Sequence, residues 1–229
     1  MARIRFCLLA LAVTMSVSSL AHGQTFDATH LVPPPPAHGS VIEAQELAEL
    51  HTIQKDRTEG RLEQAQWDQD HENWTLYAPM FSPAYDMDKL PATSKLLTQI
   101  QKANSAVANK AKTAFHRQRP WALDPTIKGC KIKASDDPYS AYPSGHTDVG
   151  YALGVVLAEL MPDHAQAILD RASDYAYSRL VCGMHYRSDT VAAEALATAV
   201  TLSMLRNPDL AADLAAAKAE LKAAGLTAG

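Results

Sequence analysis

Three separated clusters contain the side chains of this chain that could do chemistry. They are Lys112-x6-Arg119-Pro120, Pro143-Ser144-Gly145-His146 and Ser178-Arg179-x5-His185-x3-Asp189. Together they supply three cations, two histidines and a carboxylate. Cations can hold the oxygens of a phosphate group, one histidine can attack phosphorus, and the other can protonate the leaving oxygen. Each cluster alone is a weak signal, but all three in this order predict cleavage of a phosphate ester through a phosphorylated histidine.

The first cluster supplies two cations. Lys112 and Arg119 are seven residues apart, so on one helix they lie on the same face. Pro120 disfavours helical geometry at Arg119, and we expect the helix to end there with the guanidinium at its tip. A guanidinium binds phosphate oxygens in pairs and an ammonium acts as a point charge, so the two are complementary. An exposed basic helix end is the alternative. His116 shares this face, but a solvated histidine is the favoured interpretation of it.

The second cluster is a turn of small residues, and the following apolar helix is predicted to begin near residue 147. Backbone amides at a helix N-terminus form an anion site, and Gly145 permits close approach of a ligand. Ser144 can add a hydroxyl donor, and His146 as an imidazolium can protonate a leaving oxygen. A plain helix cap is the alternative, and the presence of the other two clusters argues against it.

The third cluster supplies a candidate nucleophile. Gly183 allows a turn between Arg179 and His185, and Asp189 lies four residues after His185, within reach if the segment is helical. A carboxylate on one ring nitrogen fixes the tautomer and leaves the other nitrogen free to attack phosphorus. We therefore assign His185 as the nucleophile candidate and interpret Arg187 as structural or solvated.

The elements that must position these clusters are predicted to be helices. Ser40 followed by Glu43 matches a capping box, which predicts a helix from about residue 41. Apolar periodicity and proline positions predict further helices over 61–77, 93–117, 147–161, 163–181, 188–206 and 208–224. The sequence has no convincing alternating strand pattern. We predict an all-α, single-domain, compact helical bundle over residues 41–229.

Two irregular segments flank these helices. Residues 24–40 include Pro33-Pro34-Pro35-Pro36 and are predicted to form an extended, proline-rich arm. The loop from Trp121 to Tyr142 leads into the second cluster, and loops of this length are often functional. We expect this loop to form the wall that selects substrates.

Residues 1–23 are predicted to be a signal peptide. Arg3 and Arg5 precede a mostly apolar stretch, Phe6 to Val17, that is shorter than the roughly 20 residues needed to span a bilayer. Cleavage after Ala21 and after Gly23 are both compatible with the sequence. We expect export to the periplasm and no membrane attachment afterwards.

Composition limits the partners of the exported chain. The full sequence of 229 residues is 47% apolar, enough for one core without a metal or disulfide scaffold. Losing residues 1–23 removes two arginines and changes the formal charge from −4 to −6, which disfavours nucleic-acid binding. The basic clusters then suit a small anionic substrate. Cys130 and Cys182 remain as a disulfide pair or as two buried thiols, and the sequence leaves both open.

These motifs resemble those of the bacterial class A non-specific acid phosphatases, within the superfamily of type 2 phosphatidic acid phosphatases and vanadium haloperoxidases. The spacings fit, with 22 residues between Pro120 and Pro143 and 31 between His146 and Ser178. The likeness extends to the segment from Leu31 to Ala37. It implies an all-helical homo-oligomer, exported to the periplasm, that hydrolyses small phosphomonoesters over a broad range at acidic pH without a cofactor or metal. The balance between hydrolysis and transfer of phosphate to other alcohols is left open.

The resemblance also implies a role for each matched residue. His185 is the nucleophile, Asp189 orients it, and His146 protonates the leaving alcohol and later activates water. The phosphate oxygens are held by Lys112, Arg119, Ser144, Gly145 and Arg179.

Other functions use the same residue types. A vanadate-dependent haloperoxidase would hold vanadate on His185, and a soluble diphosphatase or apyrase-like enzyme would cleave a different phosphate bond. An integral lipid phosphatase shares the motifs, and a non-catalytic phosphate-binding protein would use the cations alone. A zinc site of His146, Asp148, Cys182 and His185 lacks the paired ligand spacing of known zinc sites.

Overall fold

The computed structural model describes residues 27–81 and 83–228, and the predicted signal peptide lies outside them. Within these ranges the regular structure is helical, which confirms the predicted all-α class. The α-helices are α1 (Ala28–Leu31), α2 (Val41–Asp56), α3 (Glu59–Asp70), α4 (Ala78–Phe81), α5 (Pro91–Phe115), α6 (Pro120–Leu123), α7 (Gly145–Leu160), α8 (Ala165–Val181), α9 (Arg187–Leu205) and α10 (Ala211–Ala223). Single 3-10 turns, Trp74–Tyr77, Pro162–His164 and Pro208–Leu210, precede α4, α8 and α10. In the described ranges, none of these helices is both long enough and apolar enough to cross a bilayer.

Side-chain caps fix where several helices begin. The Ser40 hydroxyl accepts a hydrogen bond from the Glu43 amide at 3.2 Å, which starts α2 at the predicted residue. The Glu43 carboxylate accepts from the Gly39 amide at 2.7 Å instead of from Ser40. Ser144 caps α7 in the same way, accepting from the Thr147 amide. These caps satisfy backbone donors that have no partner inside the helix.

The helix predicted over residues 61–77 is wrong at its C-terminal end. Helix α3 ends at Asp70, where the His71 ring stacks on Trp67 with ring centroids 3.8 Å apart. The Asn73 side chain then accepts a hydrogen bond from the Thr75 amide at 2.8 Å and starts the 3-10 turn. This break places Glu72 at the mouth of the cavity that contains the candidate site.

The helix predicted over residues 93–117 also ends early. Phe115 is its last residue because His116 adopts a left-handed conformation, with φ at 46°. Arg119 is therefore not at the tip of the helix that contains Lys112. It precedes α6 in extended backbone, held by a 2.7 Å hydrogen bond from its amide to the Pro138 carbonyl oxygen.

The proline-rich arm is extended only in part. Helix α1 forms one turn within it, capped by Asp27, and buries Ala28 against the α5–α9 side of the core. The tetraproline follows without helical structure, and the Tyr142 hydroxyl donates to the Pro33 carbonyl oxygen. The boundaries 24–40 and 41–229 stay predictions.

Helix α7 is central and packs against α5, α8 and α9. A Cβ on Gly154 would lie 2.5 Å from the Tyr77 hydroxyl oxygen and 3.4 Å from the Ala172 Cβ of α8, so the close approach of these elements requires glycine. Leu153 and Leu157 of α7 are fully buried in this core. The packing fixes the N-terminus of α7 beside the end of α5 and the turn between α8 and α9.

A disulfide joins Cys130 to Cys182, with their Cα atoms 4.9 Å apart, and settles the two alternatives for these cysteines. It ties the 124–140 loop to the end of α8. Gly183 follows with φ at +60°, and a Cβ there would lie 2.7 Å from Ile127 Cγ2. Both the backbone conformation and the lack of space therefore require glycine in the turn that leads to His185.

Candidate active site

A cavity of about 340 Å³ opens where α5, α7 and the α8–α9 turn meet. The structure places six of the predicted site residues in its wall, namely Lys112, Arg119, Gly145, His146, Arg179 and His185. The other two predicted residues, Ser144 and Asp189, are fully buried behind this wall. The three sequence clusters therefore converge on one cavity.

His185 is held as a neutral imidazole with one nitrogen directed into the cavity. Its Nδ1 lies 2.7 Å from the Ala141 carbonyl oxygen, which can only accept, so Nδ1 carries the proton. Nε2 is unprotonated, and in the empty site its lone pair accepts a 3.0 Å hydrogen bond from Arg119 Nη1. Burial, followed by the charges of Arg119, Lys112 and Arg179, holds the pKa of His185 well below its usual value. Such an imidazole can act as a nucleophile at acidic pH.

Asp189 supports His185 less directly than the sequence predicts. Its Oδ2 is 3.4 Å from His185 Nδ1, farther than the Ala141 carbonyl oxygen, and accepts a 2.8 Å hydrogen bond from the Tyr186 amide. Burial raises the pKa of Asp189 to about 6, and the Arg117 guanidinium opposes that rise. The carbonyl of Ala141 fixes the tautomer, and Asp189 adds negative charge behind the ring.

Arg117 and Glu46 complete a buried network that the sequence analysis missed. Arg117 Nη1 donates to Asp189 Oδ1 at 2.6 Å, and Nη2 donates to Glu46 Oε2 at 2.8 Å. The Glu46 carboxylate also accepts from the Ser188 amide at 2.6 Å. The guanidinium lies 3.9 Å from the centroid of the Tyr186 ring. This network connects α2, the residues after α5 and the start of α9 behind the nucleophile.

His146 lies on the first turn of α7 with both ring nitrogens beside acceptors. Nε2 is 3.1 Å from the Gln69 carbonyl oxygen and therefore carries a proton. Nδ1 is 3.4 Å from Glu72 Oε1 and is the nitrogen left to exchange a proton with a substrate. Burial, then the charges of Arg179, Arg119 and Lys112, lowers the pKa of His146 well below its usual value. The empty site therefore favours a neutral His146, and a bound anion would raise its pKa.

Two of the three pocket cations are held in place by the loop before α7. Lys112 Nζ donates to the carbonyl oxygens of Ser140 at 2.7 Å and Pro143 at 2.6 Å. Burial, then repulsion by Arg119, lowers the pKa of Lys112 to about 7. Arg119 donates to the Ser140 hydroxyl and to the Met184 carbonyl oxygen at 3.0 Å. Lys112 is thus fully charged only under acidic conditions.

Arg179 is the third cation and is 1% exposed. Its Nη1 donates to Gln69 Oε1 at 3.3 Å, and its Nε has no hydrogen-bond partner in the described ranges. A buried guanidinium with unused donors that lines a cavity is suited to bind a planar or tetrahedral anion.

Ser144 and Gly145 have different relations to the cavity. The Ser144 hydroxyl is committed to capping α7 and accepts from both the amide and the hydroxyl of Thr147. Its role as a phosphate donor stays a prediction. Gly145 lines the cavity, and with no side chain there the backbone of the first turn of α7 borders the cavity directly.

The predicted loop wall is present in part. Lys131, Lys133 and Asp136 from the 124–140 loop line the cavity, and Lys131 pairs with Asp70 across its mouth. Trp121, where the predicted wall begins, lies instead in α6. His116 lies outside this cavity and stacks on Tyr139, with ring centroids 4.7 Å apart.

The zinc set considered above is not assembled. The sulfur of Cys182 is bonded to Cys130, so it is not free to ligate a metal. No group of three His, Cys, Asp or Glu side chains in the described part of the chain has metal-binding geometry.

Asp148 is a buried carboxyl group next to this site. It is fully buried on the first turn of α7, and neither side-chain oxygen has a hydrogen-bond partner in the ranges that the structure describes. Burial raises the pKa of Asp148 to about 7, Lys112 opposes the rise, and Glu72 adds to it. The folded state therefore binds this proton more tightly than the unfolded chain, in which the pKa of an aspartate is about 3.9.

We expect Asp148→Asn to stabilise the protein above pH 7 by a few kcal/mol relative to the wild type and to have little effect near pH 4. Because the folded-state pKa is raised, the wild type loses stability as pH rises from about 4 to about 7, whereas the amide has no proton to lose. Urea unfolding at several pH values measures this difference. Asp88→Asn, at an exposed residue, is the control. A pH-independent difference between Asp148→Asn and wild type would contradict the prediction.

The sequence analysis missed residues in the cavity wall and one arginine behind it. Gln69 and Glu72 flank the break after α3, and Asn109 projects from α5 one turn before Lys112. The break depends on the local contacts of His71 and Asn73, and no proline or glycine signals it. Arg117 lies in sequence between His116 and Arg119, and nothing in the local sequence distinguishes it from a solvated arginine. Its role as the shared cation of two buried carboxylates is evident only from the structure.

Comparison with known proteins gives a consistent result. The PAP2 superfamily matches residues 94–211. A "Non-specific acid phosphatase" from Providencia stuartii is 33% identical over 208 residues, covering 88% of this chain and 83% of the relative. An "Acid phosphatase" from Zymomonas mobilis subsp. mobilis is 31% identical over 199 residues, covering 85% and 75%.

A solved structure shares the fold. The transmembrane PAP2 type phosphatidylglycerolphosphate phosphatase from Bacillus subtilis superposes with a TM-score of 0.55 at 12% identity, covering 73% of this chain and 86% of that one. At this identity the likeness shows the architecture alone.

Proposed function

Since the chain belongs to the PAP2 superfamily and is a phosphomonoester hydrolase of the acid phosphatase type, we propose that it acts through a phosphohistidine formed on His185. This proposal rests on which ring nitrogen of His185 carries the proton and on what each nitrogen contacts. Its Nδ1 is committed to the Ala141 carbonyl oxygen. This leaves Nε2, which accepts from Arg119 in the empty site, as the unprotonated nitrogen at a cavity lined by three cations. A substrate phosphate in that cavity would be held for attack.

The first chemical step transfers the phosphoryl group to the enzyme. Lys112, Arg119 and Arg179 neutralise the phosphate oxygens, and the amides at the start of α7 add donors. A bond forms between His185 Nε2 and phosphorus while the bond from phosphorus to the ester oxygen breaks. The leaving oxygen takes a proton from His146 Nδ1, which leaves His146 neutral and releases the alcohol.

The second step returns the enzyme to its starting state. Neutral His146 accepts a proton from water as the water oxygen attacks phosphorus. The bond between phosphorus and His185 Nε2 breaks, inorganic phosphate forms, and His146 is again an imidazolium. Loss of His185 therefore prevents formation of the phosphohistidine, whereas loss of His146 slows its hydrolysis.

The pKa values of the site favour acidic conditions. Below about pH 7, Lys112 carries its full charge while burial keeps His185 neutral. As pH rises through that value Lys112 loses its proton, and the cavity binds an anion more weakly. Fixed cations take the charge-neutralising role that magnesium has in many phosphoryl-transfer enzymes.

The proposal is tested with p-nitrophenyl phosphate at about pH 6 in excess chelator, using wild type and His146→Ala. We expect undiminished turnover by the wild type. For His146→Ala we expect a burst of one equivalent of p-nitrophenolate, then turnover slowed on the order of 10²-fold. The reason is that p-nitrophenolate leaves without a proton, whereas water activation still requires His146.

The trapped intermediate identifies the mechanism. Acid-labile phosphate on His185, found by mass spectrometry of His146→Ala after the burst, is the expected result. Absence of a burst would contradict the phosphohistidine. Absence of wild-type turnover would favour a vanadate-dependent haloperoxidase, a diphosphatase or a phosphate-binding protein.

Three finer properties belong to the same proposal. We propose export to the periplasm, which the signal-like residues 1–23 and the Cys130–Cys182 disulfide support. A broad substrate range is supported by a polar cavity whose mouth is exposed. Assembly into homo-oligomers stays a prediction from the family resemblance.

A further inference from the structure

Glu72 places a carboxylate inside the proposed phosphate site. It lies between α3 and the 3-10 turn, and its Oε1 is 3.4 Å from His146 Nδ1. The same oxygen is 3.5 Å from the position that a Cβ on Gly145 would occupy. The carboxylate therefore covers the first turn of α7, where a phosphate or a leaving oxygen would lie.

The cations of the site act on Glu72 as they would act on a substrate. Burial in the cavity mouth raises the pKa of Glu72, and the charges of Arg179, Lys112 and Arg119 oppose the rise. In the described ranges none of these three cations forms a direct ion pair with it, and the titratable group in contact with its carboxylate is His146, which is neutral in the empty site. The Glu72 carboxylate in turn disfavours ionisation of Asp148 on α7 and of Tyr175 on α8. Glu72 thus has a negative charge in a site built for anions and no cation dedicated to it.

A hydrogen bond holds the backbone of Glu72, whereas its side chain is partly exposed to solvent. Its carbonyl oxygen accepts a 3.0 Å hydrogen bond from Gln101 Nε2, and its side chain is 43% exposed. Asp70, on the same rim, differs because its carboxylate pairs with Lys131 across the cavity mouth. Rotation about side-chain bonds can therefore take the Glu72 carboxylate out of the cavity without moving the backbone.

We propose that Glu72 is an internal competitor of the substrate phosphate. In the empty enzyme its carboxylate occupies the anion site beside His146, and an incoming phosphate dianion displaces it. Ionised Glu72 weakens anion binding, and protonated Glu72 does not, so acidic conditions favour substrate. This inference depends on the proposed function because it concerns the same cavity.

The test measures the affinity for inorganic phosphate in wild type, Glu72→Gln and Asp70→Asn. Phosphate is used as an inhibitor of p-nitrophenyl phosphate hydrolysis and, by calorimetry, as a ligand without turnover. For Glu72→Gln at pH 7 we expect phosphate binding to tighten by about 5- to 10-fold, because a like charge is removed from the site. The difference in phosphate affinity between Glu72→Gln and wild type should become smaller toward pH 4, where the wild-type carboxyl group is itself protonated. Asp70→Asn changes the net charge equally and should give a smaller gain.

The outcomes separate this inference from the proposed function. A fall in kcat for Glu72→Gln with unchanged phosphate affinity would overturn the inference and make Glu72 a residue that keeps His146 protonated. An equal increase in phosphate affinity in Glu72→Gln and Asp70→Asn would also overturn the inference, because the change in net charge alone would explain it. Wild-type protein that neither binds phosphate nor turns over p-nitrophenyl phosphate would refute the proposed function itself.

Discussion

His185→Ala is expected to lower kcat for p-nitrophenyl phosphate by more than about 10³-fold, since loss of a catalytic nucleophile removes the main reaction path. The alanine variant retains Lys112, Arg119 and Arg179, so phosphate binding measured by calorimetry should stay close to that of the wild type. Added imidazole, which fits the space left by the side chain, should restore part of the activity. Separate measurement of binding and turnover distinguishes a lost nucleophile from a collapsed site.

His116→Asn is the matched control for the nucleophile. His116 lies outside the catalytic cavity in a left-handed conformation that asparagine tolerates. This variant should retain nearly full activity. If His185→Ala kept a tenth or more of wild-type kcat, the assignment of His185 would be wrong.

Arg117→Met is expected to lower the free energy of unfolding by about 3–5 kcal/mol, the usual effect of removing one partner from a buried ion pair. The Arg117 side chain is 4% exposed, and its loss leaves the buried carboxylates of Glu46 and Asp189 without their shared cation. The pKa of Asp189 should rise further, and the charge behind His185 should be lost with it. Urea unfolding at pH 7 measures the stability, and the steady-state kcat reports on the site.

Arg187→Met provides the comparison. Arg187 forms an exposed ion pair with Glu49 near the start of α9, with side chains 44% and 35% exposed, so its removal should change stability by about 0–1 kcal/mol. Arg117→Lys keeps the charge but not the two-pronged geometry and should fall between wild type and Arg117→Met. A loss for Arg117→Met no larger than that for Arg187→Met would show that the buried network contributes little.

Local signals predicted most of the helices. Ser40 and Ser144 cap α2 and α7 in the structure, and prolines bound α5, α8 and α10 within a few residues of the predicted ends. The errors lie where tertiary contacts decide. Helix α3 ends at Asp70 because of contacts made by His71 and Asn73, and α5 ends at Phe115 because His116 turns left-handed.

The site was predictable to the extent that it depends on residue types at fixed spacing. The cations and histidines of the three clusters meet at one cavity, as that spacing suggests. The orientation of His185 was not predictable, because the Ala141 carbonyl oxygen that holds Nδ1 belongs to the backbone and has no sequence signature. Glu72 and Glu46 were equally hidden, because a glutamate in a segment predicted to be a polar helix is expected to face solvent.

The helical wall of the cavity and the wall formed by the 124–140 loop differ in how many amino-acid changes they can tolerate. The cations and histidines of the site lie on α5, α7, α8, the start of α6 and the α8–α9 turn. The close contacts at Gly154 of α7 and at Gly183 of that turn leave little room for larger residues. The opposite wall, with Lys131 and Lys133, belongs to a loop without helical structure that is fastened at Cys130. Mutations, insertions and deletions can accumulate in that loop while the reacting atoms keep their positions. Changes in this tethered surface segment would therefore reshape one wall of the cavity without moving the histidines and cations of the other.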